Sequence, residues 1–245
     1  KDIPKEKQMC NKTWLQRFLI IIAGVLFNFL LAIVLLFIIG LLNGVPNSKP
    51  VISQLDSSYP IYESNIRVGD VIKKVNKTKI KSTDQLSLEL QVVKKGVTFT
   101  VEHTDGKIEE VYVEPMLANV NGNDVYKYGL VLDSTIKHGF IESLKYGFTK
   151  TISLIDQMCY TIKYLVTGKL SAKNLAGPVG IYTIVDQTAK TGFINVLFLI
   201  SYLCINVGFI NFIPLPAFDG GRLLFLIIEK IKGSRVSPKV ENMVH

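Results

Sequence analysis

The stretch Asn211-Phe-Ile-Pro-Leu-Pro-Ala-Phe-Asp219-Gly-Gly-Arg222 decides how this chain is interpreted, because it places a carboxylate directly after an apolar run. The run from Phe193 to Pro214 contains 22 residues and no charge. As a helix it would cover roughly 33 Å, enough to cross a bilayer. A carboxylate at membrane depth is costly unless a cation or a hydrogen-bond donor compensates it.

The residues around Asp219 allow two interpretations. Pro214 and Pro216 end or kink a helix, and Gly220 and Gly221 allow another backbone to approach closely. Irregular backbone at membrane depth is tolerated where protein buries it or where it lines a cavity, and a bound metal would keep the carboxylate ionised. Alternatively, Asp-Gly-Gly is an ordinary turn at a helix end, with Asp219 solvated at the interface.

A second apolar run and the charge pattern predict a membrane topology. Phe18 to Leu42 is apolar apart from Asn28, and its 25 residues would span roughly 37 Å as a helix. Of the net charge of +8, residues 1–17 and residues 222–245 each hold five basic and two acidic residues. If both flanks are cytoplasmic, residues 43–192 lie outside the cytoplasm. Excess charge that flanks apolar runs does not indicate nucleic-acid binding.

The region between the two runs divides into a β-rich part and a helical part. Short β-rich runs separated by turns, together with one helix over Thr83–Val92, predict a small sheet with helices. The runs are Val51–Leu55, Asp70–Val75, Val97–Val101 and Glu109–Val113. Ile141–Val166 has one-sided helical periodicity and carries Lys145, Lys150 and Lys163. These lysines favour a helix that lies on the membrane surface or packs on the sheet, rather than a third span.

Four segments, in this order, resemble landmarks of the site-2 protease family of intramembrane zinc metalloproteases, specifically its bacterial RseP/RasP type. They are Ala23-Gly-Val-Leu-Phe-Asn28-Phe29, Arg67-Val-Gly-Asp70-Val-Ile72, Leu175-Ala-Gly-Pro-Val-Gly-Ile181 and Asn211–Gly221. Each alone is moderately specific, and the ordered set covers nearly the whole chain. Val25 stands where the family has Pro, and Phe218 stands where Leu is usual.

The resemblance implies roles for individual residues. Asp219 would be the third ligand of a Zn²⁺ ion, beside two histidines from a preceding span, which leaves a fourth position for water. Asn211, Asn28 and Gly24 would position the substrate. For Asn28 an interhelical hydrogen bond is the alternative role. Pro214, Pro216, Gly220 and Gly221 would support the motif, and Gly177, Pro178 and Gly180 are expected to form a bend.

The family's H-E-x-x-H motif, which would supply two histidines and the general-base glutamate, does not occur in these 245 residues. We expect the chain to be a piece of a longer protein with that motif upstream and a last span downstream. A catalytically inactive scaffold or PDZ receptor of the same fold is the alternative. A transporter with a broken helix also fits the proline-rich span end, but it does not predict a PDZ-like insert.

The fold class that the resemblance implies is an α-helical multi-span membrane protein with an inserted small PDZ-like α+β domain. That domain would either bind peptides at a sheet edge or filter substrates by size. Single-span membrane proteins, such as anti-sigma factors and signal-peptide remnants, would be the substrates, membrane lipid would be a further partner, and the bacterial plasma membrane would be the location. The expected segments are 1–17 (cytoplasmic flank), 18–42 (span), 46–116 (PDZ-like domain), 117–192 (linker and amphipathic helix), 193–217 (span with the zinc-ligand motif) and 218–245 (cytoplasmic segment).

Overall fold

A computed structural model describes residues 12–93, 95–120, 123–171, 178–215 and 218–233. The chain forms two compact units. The helical unit combines the residues up to Ile39 with those from Thr183 onward, and the strand-rich unit runs from Gly40 to Tyr182. The strand-rich unit is therefore an insertion between two parts of the helical unit.

The helical unit contains two helices that are long and apolar enough to cross a membrane, α1 (Trp14–Asn43) and α5 (Phe193–Phe212). α1 begins four residues before the predicted run, because Thr13 and Gln16 form a reciprocal capping box. The Gln16 amide donates to Thr13 Oγ1 over 3.3 Å, and the Thr13 amide donates to Gln16 Oε1 over 3.1 Å. α5 ends at Phe212, two residues before Pro214.

Two shorter helices follow the strand-rich part and the second apolar helix, respectively. α4 (Pro178–Lys190) begins at a proline, which is favoured at the first position of a helix. The predicted bend is therefore wrong at Pro178 and Gly180, which are helical, while Gly177 lies outside the described residues. α6 (Asp219–Lys232) ends where Gly233 adopts the left-handed conformation, with φ of 71°.

The strand-rich unit is built on a four-stranded antiparallel sheet in the order β4-β3-β5-β6. These strands are β3 (Val71–Val75), β4 (Thr78–Lys79), β5 (Val97–Glu102) and β6 (Ile108–Val113). α2 (Thr83–Val92) has the bounds that the sequence predicts, and the Ser82 side chain caps it by accepting from the Gln85 amide. The core contains fully buried Phe99, Ile72 and Leu86.

Strands near the start of the insertion pair with strands near its end. β1 (Val45–Pro46) pairs with β10 (Ile136–Lys137), and β2 (Ile52–Leu55) pairs with β9 (Leu130–Leu132). Between them, β7 (Met116–Val120) and β8 (Asn123–Lys127) form a hairpin. The pairing of β9 and β10 with β2 and β1 brings the two ends of the insertion together, and the predicted PDZ-like domain over 46–116 stays a prediction.

A long helix, α3 (Phe140–Val166), packs against α2 through polar contacts. Lys150 Nζ lies 2.7 Å from Asp84 Oδ2, and the Ser153 hydroxyl donates to the same carboxylate over 3.1 Å. Near the other end of α3, buried Tyr164 donates its hydroxyl to Glu89. Burial and the neighbouring Glu89 carboxylate raise the pKa of Tyr164. The predicted helix over Ile141–Val166 is therefore confirmed, and it packs on the strand-rich unit.

Candidate metal centre

The chain between α5 and α6 is irregular and places Asp219 in the first turn of a new helix. Ile213 is extended after the last turn of α5, with φ and ψ of −64° and 134°. The Leu215 carbonyl accepts from the Phe218 amide over 3.1 Å, and the Phe218 carbonyl accepts from the Gly221 amide over 3.0 Å. Pro214 follows Ile213 directly, while Pro216 lies outside the described residues. The break predicted from the prolines is confirmed.

Gly220 allows α6 to start directly against the end of α5. A Cβ atom at Gly220 would lie 2.4 Å from the Ile213 carbonyl oxygen and 2.5 Å from that of Phe212. Both atoms belong to the backbone and cannot rotate away as a side chain could. Gly220 and Gly221 are buried. The close approach predicted for these glycines is therefore present at Gly220, and it fixes the position of the neighbouring Asp219.

The Asp219 side chain points toward α1 at Gly24. A Cβ atom built on Gly24 would lie 4.0 Å from Asp219 Oδ2, so no side chain of α1 stands between them at this point. Gly24 lies ten residues after Trp14, which is about 15 Å along the helix axis. The carboxylate is therefore well inside the length of an apolar helix. The structure brings together two of the predicted site residues, Gly24 and Asp219.

Contacts near the start of α1 hold the rest of α6 alongside it. The Trp14 indole donates to the Leu226 carbonyl over 2.7 Å, and Lys230 Nζ lies 5.3 Å from the centroid of the Trp14 ring. Arg17 Nη2 lies 2.7 Å from Glu229 Oε2, and each side chain exposes 13% or less of its surface. Since Asp219 lies near Gly24 and Glu229 near Arg17, α6 runs antiparallel to the first half of α1.

Asn28 and Asn211 lie in the same unit as Gly24 and Asp219. Asn28 follows Gly24 by four residues and so lies on the same face of α1. A Cβ atom on Gly208 of α5 would lie 3.3 Å from the Asn28 Cβ atom, which makes this a close contact between the two apolar helices. Asn211 lies in the last turn of α5, three residues after Gly208. Their roles stay predictions.

The donor atoms of the described residues fit part of a zinc centre. Asp219 supplies one carboxylate that is neither fully buried nor fully exposed. The described residues contain no group of three or more His, Cys, Asp or Glu side chains that could hold a metal ion. A catalytic zinc takes three protein ligands and one water, so Asp219 suits one of the three positions.

Sequence reasoning missed two features that shape this site. Gly208 gave no periodic signal, although a small residue in an apolar span often marks close helix packing. In the sequence, Arg17 and Glu229 belong to the charged flanks of the two apolar runs, and nothing marks them as a pair. The one available sign is that Glu229 is an acid between the basic residues Arg222 and Lys230. Side chains 212 positions apart in the sequence cannot be paired from one sequence alone.

The fold and the site together define a chain with two membrane-length apolar helices, a strand-rich insertion between them, and a carboxylate suited to a metal. Comparison with known families gives a closer identification. The model of Peptidase family M50 matches residues 2–245, and the chain belongs to that family. The resemblance seen in the sequence is thereby confirmed at the level of the family.

The names of similar proteins are consistent with membership in this family. The chain is 37% identical to zinc metalloprotease RasP from Bacillus licheniformis and 35% identical to the regulator of sigma-W protease RasP from Bacillus subtilis. Each alignment covers 98% of this chain and 57% of the relative. The chain therefore spans little more than half the length of these relatives.

Among solved structures, the chain is similar to the PDZ domain of an SdrC-like protein from Listeria innocua. The TM-score is 0.31 at 15% identity, and the match covers 38% of this chain and 100% of that one. A similarity of this size does not establish the fold of the strand-rich unit.

Proposed function

We propose that the complete protein is an intramembrane zinc metalloendopeptidase that cleaves single-span membrane proteins. The observation that carries this proposal is the Asp219 carboxylate, which lies beside Gly24 and therefore about 15 Å along the apolar helix α1 from Trp14. Membership in Peptidase family M50 and the similarity to proteins named zinc metalloprotease support it.

In this proposal Asp219 is one of three protein ligands of Zn²⁺. When bound, zinc lowers the pKa of a water molecule and polarises a peptide carbonyl. The chain itself provides the placement of the ligand. Gly220 lets α6 begin against α5, the pair of Arg17 and Glu229 holds α6 along α1, and Gly24 leaves space in front of the carboxylate.

The substrate would pass along the face of α1 that carries Gly24 and Asn28. An amide in an apolar helix can donate to and accept from an extended peptide, whose backbone groups need partners away from water. Asn28 lies one helical turn after Gly24 on the same face of α1, where its amide could contact such a peptide. Asn211 would serve the same purpose from the last turn of α5.

The proposed topology places the basic ends of the chain in the cytoplasm and the strand-rich unit outside a bacterial plasma membrane. α1 and α5 would each cross once, because both are of membrane length and apolar. Lys12, Arg17, Lys230 and Lys232 then lie near the cytoplasmic side, as the positive-inside rule expects.

The strand-rich unit would act as a PDZ-like domain that selects substrates outside the membrane. One observation supports peptide binding by this unit, in addition to the filtering of substrates by size. A cavity of about 530 Å³ lies between β9 and α2, and it is lined by Leu86, Leu90, Tyr128, Leu130 and others. β9 pairs with β2 along one edge, and an extended peptide could add along its other edge.

Substitution of Asp219 by Asn tests the proposal in the complete protein. Asp219→Asn keeps the shape but removes the anionic ligand, so we expect cleavage of a single-span substrate to fall by about 10³-fold, or about 4 kcal/mol of barrier. Asp186→Asn is the control, because Asp186 is exposed on α4 in the same unit and pairs with Lys190 at the surface. Its activity should change by less than about twofold.

Two outcomes oppose the proposal. Cleavage by Asp219→Asn at the rate of the unsubstituted protein would remove Asp219 from the zinc ligands. A complete protein that binds single-span substrates but does not cleave them would favour the inactive scaffold.

A further inference from the structure

Gly208 is the one glycine of α5, and it lies where that helix touches α1. It is buried, and a Cβ atom there would lie 3.3 Å from the Asn28 Cβ atom and 3.3 Å from two ring atoms of Phe29. Ordinary contacts begin at 3.4 Å, so a larger residue would require a shift of a few tenths of an ångström. The absent side chain therefore sets the separation of the two helices at Asn28.

A second contact fixes the direction of α5 relative to α1. The start of α6 lies against the carbonyl group of Phe212 at the end of α5, and it places Asp219 beside Gly24 of α1. Phe212 follows Gly208 by four residues on α5, and Gly24 precedes Asn28 by four residues on α1. Each interval measures about 6 Å along its helix. The two helices therefore run antiparallel through this section.

This section brings two amides to the level of the candidate metal ligand. Asn211 follows Gly208 by three residues, about 4.5 Å along α5, and so lies between the level of Asn28 and that of Asp219. Both asparagines are half-buried. An extended chain advances about 3.3 Å per residue, so the section matches about two residues of a bound peptide. One short extended segment is therefore long enough to meet both amides and the carboxylate.

We propose that Gly208 is a positioning residue, which holds Asn28 and Asn211 at the separation that one extended substrate segment needs. Gly208 acts through the two amides, which pair with peptide groups away from water. Asp219 keeps its place when α5 shifts, because an ion pair and a hydrogen bond near the start of α1 hold α6 along that helix. This inference rests on the proposed function and on the substrate contact that it assigns to Asn28.

A double-mutant cycle with Asn28 distinguishes positioning from packing. In the complete protein, Gly208→Ala should lower kcat/KM for a single-span substrate about tenfold, since a shift of 1 Å costs about 10²-fold and this shift is smaller. Asn28→Ala retains the Cβ atom that Gly208 faces, so the same shift occurs in the double variant but moves no amide on α1. In the Asn28→Ala background, Gly208→Ala should therefore cost less than about twofold.

Gly40→Ala is the matched control for this cycle. Its Cβ atom would also make a short contact, 3.0 Å from the Ser143 Cβ atom, and Gly40 lies twelve residues from Asn28, about 18 Å along α1. Any loss that it causes should be equal with and without Asn28→Ala. Zinc content is a readout that does not depend on turnover. Gly208→Ala should retain the zinc of the unsubstituted protein, whereas a general disturbance of the helical unit would lower it.

A disulfide tests the helix contact itself. In the complete protein with its native cysteines replaced by Ser, the pair Asn28→Cys and Gly208→Cys should cross-link under a mild oxidant. Their Cβ separation of 3.3 Å is close to the range of about 3.5–4.5 Å in disulfides. The pair Phe27→Cys and Gly208→Cys should not cross-link, since Phe27 is 67% exposed and projects about 100° away from Asn28. Mass spectrometry of the linked peptides measures both.

Four outcomes overturn the positioning role and leave the proposed function intact. They are unchanged kcat/KM in Gly208→Ala, an equal loss from Gly208→Ala with and without Asn28→Ala, loss of zinc from Gly208→Ala, and absence of the cross-link between positions 28 and 208. A complete protein that cleaves no single-span substrate overturns the proposed function and this role together.

Discussion

Substitution of Gly220 by Ala tests whether the junction of α5 and α6 sets the position of Asp219. The added Cβ atom would lie 2.4 Å from the Ile213 carbonyl oxygen, whereas ordinary contacts begin at 3.4 Å. The first turn of α6 must therefore move by about 1 Å, since neither backbone atom can rotate away. A displacement of about 1 Å at a reacting group costs about 10²-fold in rate, or about 2.7 kcal/mol of barrier.

The assay is cleavage of a single-span substrate by the complete protein, with kcat and KM measured separately. Gly220→Ala should lower kcat by about 100-fold while the protein stays folded and membrane-inserted. Asp186→Asn is the control, because Asp186 is exposed on α4 in the same unit and lies outside the candidate site. We expect it to stay within about threefold of the unsubstituted protein. Wild-type kcat in Gly220→Ala, or an equal loss in both variants, would refute the reasoning.

Two further predictions concern stability. Glu229→Gln should lower the free energy of unfolding by about 3–5 kcal/mol, because it removes the ion-pair partner of the largely buried Arg17 charge. Arg17→Met with Glu229→Met should cost much less, because both charges are removed together. Thermal unfolding of the two variants tests this, and an equal loss in both would contradict it. Hydrogen bonds from Thr135 and Asn47 lower the pKa of Asp133. The stabilisation that Asp133 provides should therefore be present above its ordinary pKa, near 4, and be lost as the pH falls through the lowered value. The stability difference between Asp133→Asn and the unsubstituted protein, measured from pH 7 down to pH 3, should shrink; a difference that does not change with pH would contradict it.

Features that depend on local sequence could be predicted. The apolar run from Phe18 to Leu42 lies within α1, and α2 has the expected bounds of Thr83–Val92. Four predicted strands are present as β2, β3, β5 and β6, within about one residue at each end. In each case hydrophobic periodicity or a turn signal lies within the element itself.

Features that depend on distant pairing could not be predicted. β10 is only two residues long, and it exists because Ile136 and Lys137 meet Pro46 and Val45 across about ninety positions of the chain. The bend expected around Pro178 and Gly180 is helical, since proline at the first position of a helix is as favourable as proline in a turn.

In the candidate site, too, the features set by local sequence could be predicted and those set by distant pairing could not. Asp219 and the break before it followed from the proline and glycine pattern of one segment. Its nearness to Gly24 joins segments about two hundred positions apart, and the family resemblance supplied only the expectation that both residues matter. No local sequence pattern identifies the ion pair of Arg17 and Glu229, which holds α6 along α1.

The central claim is that Asp219 holds Zn²⁺. Zinc content of the purified complete protein, measured by mass spectrometry after dialysis against a weak chelator, should be one ion per chain, and Asp219→Ala should lower it well below that while Asp186→Ala does not. Equal zinc content in the Asp219→Ala variant and the unsubstituted protein would contradict the account.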